Sequence, residues 1–123
     1  MAARALDTID MTAAIDRGHL ARMTFGDRDL EQEVLELFDR QAELLIARMR
    51  GGGDPATVAA LAHTLKGSAA GIGAGPVAVA AEATELAAAS PGDIGQAIDR
   101  LAAAVEDARA LIAILLARRP SLA

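Results

Sequence analysis

The chain has 123 residues, a formal net charge of −5 and no cysteine; 53% of its residues are hydrophobic, but only Phe25 and Phe38 are aromatic. That length fits a single domain able to bury roughly two-thirds of its unfolded surface. A core left to Ala, Leu, Ile and Val suits packed helices better than a sandwich of strands, which favours β-branched and aromatic residues. The acidic balance argues against a nucleic-acid partner, which needs a basic face. Lack of cysteine excludes a disulfide framework and a thiolate metal site, and fits the cytoplasm. The N-terminus, Met1-Ala-Ala-Arg-Ala-Leu-Asp7, lacks the apolar core of a signal peptide. No apolar run reaches the roughly 18 residues a membrane span requires.

In chain order, a first short helix is expected from Asp10 to about Phe25, capped by Asp10 or Thr12, with Ile15, His19 or Leu20, and Met23 as its apolar stripe. Gly26-Asp27 breaks it. A second helix is expected from about Arg28 to Arg50, with Asp27 as cap and Asp29 and Glu31 at the positive end of its dipole. Leu30, Val34, Leu37, Phe38, Leu45 and Met49 recur at steps that suggest its buried face. Gly51-Gly52-Gly53 stops it, and Asp54-Pro55 starts a third helix running to about Ile72. Gly75-Pro76 opens a fourth that reaches about Ala89. After the Ser90-Pro91-Gly92-Asp93 turn, a fifth runs from about Ile94 to Arg118. Its seam is Ile94, Ile98, Leu101, Val105, Ala108, Ile112 and Leu115. Nothing alternates with period two. Short loops between long helices predict an all-α, up-and-down antiparallel four-helix bundle behind a short N-terminal helix. The whole chain, 1–123, reads as one domain with its core at about 9–118.

The third helix carries the chemistry. Rotating by roughly 100° per residue from His63 places Ala56, Ala59, Ala60, Lys66, Gly67 and Ala70 on its side. Val58, Leu61, Leu65, Ala69 and Ile72 fall on the other. The far side is a core stripe, so His63 points away from the core. Histidine is the side chain whose nucleophilic free base is abundant near neutral pH. Attack by a ring nitrogen on an activated phosphoryl group gives a phosphohistidine, and Lys66 can offset charge on the phosphoryl oxygens. Glycine inside a helix costs about 1 kcal/mol relative to alanine. Close approach of another molecule is a good reason for Gly67.

The run His63-Thr64-Leu65-Lys66-Gly67-Ser68, continuing through Ala69, Ala70, Ile72 and Gly73, resembles the signature of histidine-containing phosphotransfer (HPt) domains. The resemblance extends loosely from about Ile9 to Ala117 through helix order and the place of the histidine. It implies a helical bundle that carries one phosphoryl group between receiver domains of two-component relays. By resemblance, His63 is phosphorylated on the ring nitrogen distal to the backbone, Lys66 is the phosphate-side cation, and Gly67 keeps the docking surface open. Ala59, Ala60 and Ala70 flank that surface. Some members place a polar side chain 22 positions after the histidine, near the imidazole; here it is Glu85. The implied partners are response-regulator receiver domains and hybrid histidine kinases, with magnesium supplied by the receiver and no cofactor on this chain.

Other readings narrow this one. Gly71, Gly73 and Gly75 lack the spacing of a phosphate loop and follow a helix, so no ATP site is expected. A metal or haem site would have only His19 and His63 to draw on, without a Glu-x-x-His pair. The dimeric phosphotransfer bundle of a histidine kinase usually has an acidic residue after its histidine and a proline several residues on. This chain has Thr64 there and no proline before Pro76. The expectation is therefore a monomer. A helical adaptor without phosphoryl chemistry is the remaining alternative. The starting methionine and the absence of a linker-like tail suggest a free-standing protein.

Overall fold

Four aspartates set the starts of four helices. In the computed structural model, which describes residues 14–90 and 92–118, the five helices are α1 (Arg17–Met23), α2 (Arg28–Arg50), α3 (Pro55–Ile72), α4 (Gly75–Ala88) and α5 (Ile94–Ala117). Asp16, Asp27, Asp54 and Asp93 each accept a hydrogen bond from a backbone N–H in the first turn of α1, α2, α3 and α5, at 2.8–3.1 Å. These bonds satisfy donors that a helix N-terminus otherwise leaves unpaired. The fourth helix has no side-chain cap and starts on Gly75-Pro76, where proline has no N–H to lose. No strand occurs among the described residues, and none of their helices is long and apolar enough to cross a membrane.

The four longer helices pack as a ring: α2 on α3, α3 on α4, α4 on α5, and α5 back on α2, while α1 lies against α3. The α3–α4 contact is the most extensive, which the alanines on both helices permit, since small side chains let backbones approach. Leu35, Phe38, Leu45, Leu65, Val77, Leu101, Val105 and Ile112 fill the centre. The expected seam of the last helix is buried throughout, with Ile94 half-buried at its start.

Two expectations need correction. The first helix does not run unbroken from Asp10. Ala14 and Ile15 form a turn and Asp16 is extended, so the helix starts at Arg17 and ends at Met23. The cause is tertiary. The Asp16 N–H donates to the Gly73 carbonyl at 2.8 Å, tying α1 to the turn after α3. Gly73 has φ +82°, and a Cβ there would sit 2.8 Å from the Asp16 carbonyl oxygen. Glycine is required by both conformation and space. The caps proposed at Asp10 and Thr12 lie outside the described residues. Met23 is exposed rather than part of the stripe, whereas Ile15 and Leu20 are buried.

The face of α2 is also different. Leu35, Phe38, Ala42, Leu45, Ile46 and Met49 are buried, and Leu37 is exposed. Leu30 and Val34 are only half-buried. Because α2 touches both α3 and α5, the ring selects a face that includes Ala42 and Ile46, centred away from Leu37.

Candidate functional site

His63 sits midway along α3, a helix held by the Asp54 cap at its start and by the left-handed Gly73 at its end. Val58, Leu61, Ala62, Leu65, Ala69 and Ile72 are buried, which turns the opposite face outward. The imidazole is 67% exposed. Ala60, Gly67 and Ala70 are exposed beside it and Ala59 is half-buried. A Cβ on Gly67 would meet nothing within 4 Å, so the packing of this chain does not demand glycine there. Small residues therefore line the exposed side of α3 next to the histidine. The Thr64 hydroxyl donates to the Ala60 carbonyl at 3.1 Å and stays on its own helix.

The neighbouring helix contributes Glu85. Its Oε2 lies 3.1 Å from His63 Nδ1, and its Oε1 accepts from Lys66 Nζ at 3.1 Å. An ionised carboxylate only accepts, so the first contact requires the proton on Nδ1. In the neutral ring this leaves Nε2 with its lone pair. Among the described residues Nε2 has no hydrogen-bond partner. Glu85 and Lys66 are each about one-third exposed. The Lys66 hydrogen bond, helped by its charge and by His63, holds the Glu85 carboxyl below the usual glutamate range, against a smaller opposing effect of desolvation. The site thus combines an exposed imidazole, a carboxylate bonded to one of its nitrogens and an adjacent ammonium group, with Ala60, Gly67 and Ala70 exposed beside them.

The model of the Hpt domain family matches residues 28–111, which takes in α2, α3, α4 and most of α5. The chain belongs to the Hpt domain family. Membership carries a phosphotransfer role in two-component systems, where Hpt domains interact with response-regulator receivers and kinases. Comparison with curated proteins gave no match, and comparison with solved structures gave none.

Of the residues singled out from sequence, the structure brings together His63, Lys66, Gly67, Ala59, Ala60, Ala70 and Glu85 on one side of the α3–α4 pair. His19 lies on α1, with its Nε2 buried and lacking a hydrogen-bond partner among the described residues. No group of three or more metal-binding side chains occurs among the described residues. Sequence reasoning missed the Glu85–Lys66 contact. The 19-residue separation crosses a helix turn whose register is set by packing, and nothing local signals it.

Proposed function

We propose that this Hpt domain accepts a phosphoryl group on His63 Nε2 and exchanges it with the aspartate of a response-regulator receiver domain. The single observation that carries the reading is an exposed imidazole whose Nδ1 is bonded to Glu85 while Nε2 has no hydrogen-bond partner among the described residues. In this reading the four long helices run up and down as one antiparallel bundle, and residues 1–123 act as one domain with its core at about 9–118.

The incoming step is an in-line displacement. Nε2 donates its lone pair to phosphorus as the bond to the receiver's aspartyl oxygen breaks, and the leaving carboxylate takes that bonding pair. Catalysis here is mostly positioning and charge balance. Glu85 orients the ring, Lys66 lies on the phosphate side, and Gly67 with Ala59, Ala60 and Ala70 lets the receiver approach. Hybrid histidine kinases, through their receiver domains, are the matching donors.

The test is transfer from a labelled, phosphorylated receiver to wild type and to His63→Gln. Acid-labile label is expected on wild type alone. No label on folded wild type across several receivers would transfer the weight to a helical adaptor without phosphoryl chemistry.

A further inference from the structure

One carboxylate serves two bases at this site. Glu85 Oε2 meets the histidine ring on the side away from Nε2, while Oε1 binds the lysine assigned to the phosphoryl oxygens. Each contact has a consequence for the loaded state. A carboxylate at Nδ1 accepts a hydrogen bond from that nitrogen and so fixes its proton on the side of the ring away from Nε2. A lysine already bonded to a carboxylate lends less of its charge to another anion. The carboxylate also adds a negative charge within a Debye length of about 8 Å of the phosphoryl group.

We propose, resting on the reading of His63 as carrier, that Glu85 biases the site toward giving its phosphoryl group away. It keeps the Nδ1 proton on the phosphorylated ring and holds Lys66 back from the phosphoryl oxygens. Glu85 is a positioning residue in this account, since it acts through the ring and through Lys66. In the outgoing step an acceptor oxygen bonds to phosphorus as the Nε2–P bond breaks. The electron pair of that bond returns to Nε2, and the proton on Nδ1 stays against Glu85. The group that leaves is therefore neutral imidazole. A ring that had lost the Nδ1 proton would have to leave as an imidazolate anion, a much poorer leaving group. When the acceptor is water, its surplus proton passes to solvent.

Phosphoramidate, a small donor that needs no partner protein, can load the histidine for the test. Decay of the phosphohistidine signal is then followed by phosphorus NMR at neutral pH. Glu85→Gln is expected to lengthen the lifetime about three- to tenfold, the range expected when one charge-assisted hydrogen bond is weakened. The double variant Glu85→Gln/Lys66→Ala should decay at a rate between wild type and Glu85→Gln, because the freed lysine is gone while the weakened hold on the Nδ1 proton remains. Equal or faster decay in Glu85→Gln overturns the inference and leaves the carrier reading standing. No phosphohistidine in wild type, or an equal signal in His63→Gln, overturns the carrier reading and this inference with it. Imidazole nitrogen shifts of the unphosphorylated protein give a readout that a merely structural role would not move. Wild type should hold His63 as the Nδ1–H form, and Glu85→Ala should add the Nε2–H form. Identical populations in the two proteins would contradict the proposal.

Discussion

The two helix pairs on opposite sides of the bundle use charge in opposite ways. Between α2 and α5, Arg109 is surrounded by acids: Asp39 at 2.8 Å, Glu43 at 3.2 Å and, on its own helix, Glu106 at 3.7 Å. The Asp39 hydrogen bond, reinforced by the charges of Asp39, Glu43 and Glu106, raises the Arg109 pKa against the opposing effect of burial. Arg50 and Asp99 add a second, exposed link between the same helices at 3.0 Å. This cation already faces more negative charge than it can balance, so it offers nothing to an anion arriving from outside. Between α3 and α4 the ratio is reversed. One carboxylate, Glu85, is shared by Lys66 and His63, and the outer ring nitrogen is left open. Saturated charge fastens helices together, whereas in the proposed function the under-shared charge sits beside the imidazole that receives a phosphoryl group.

That contrast can be broken by substitutions on either side. His63→Gln should have the largest effect: complete loss of transfer with Tm unchanged, because the ring is exposed and outside the core. A parallel fall in Tm would mean that the histidine is structural. Gly67→Leu should come next, lowering receiver-dependent transfer by about a hundredfold or more through steric exclusion. Its helix should be no less stable, since leucine has the better propensity and a Cβ there meets nothing within 4 Å. Undiminished transfer would remove Gly67 from the docking surface. Lys66→Ala should slow transfer by about tenfold without abolishing it, as expected for one partly solvated cation. An unchanged rate would remove the lysine from the mechanism.

On the other side of the ring, Arg109→Ala should leave transfer at the wild-type rate. It should cost about 1 kcal/mol of stability, or about 4 °C in Tm, because the network is partly solvated. A loss of transfer in this variant, with the fold intact, would erase the distinction between the two pairs. The smallest effect concerns Glu85 itself. Its pKa is depressed, so its stabilising contribution is present above the ordinary glutamate value of 4.5 and is lost as pH falls through the lower folded value. Carboxyl carbon NMR should give a titration midpoint below 4.5, and a midpoint at or above it would show that the Lys66 link does not persist.

Much of this was legible in the chain because caps and stops are local. Asp27, Asp54-Pro55, Gly75-Pro76 and Asp93 act within one turn of their own helices, so the bounds of the four long helices followed from short runs of residues. The outward turn of His63 was legible for the same reason, since it needs only the helical period and the stripe from Val58 to Ile72. What stayed hidden depends on partners distant in sequence. Asp16 begins a helix because its N–H is taken by Gly73, across a gap no local pattern spans. Leu35 rather than Leu37 is buried because α2 meets two neighbours at once. Thr84 is fully buried, and its hydroxyl is satisfied by the Ala80 carbonyl at 2.9 Å and the Ala97 carbonyl at 3.3 Å. Only the packed α4–α5 pair makes that position tolerable.

The most direct test of the central claim is to load nitrogen-labelled protein from a phosphorylated receiver and find which atom bonds to phosphorus by phosphorus–nitrogen coupling in NMR. The account predicts coupling to Nε2 of His63 alone. A phosphoryl group on Nδ1, on His19 or on a carboxylate would contradict it.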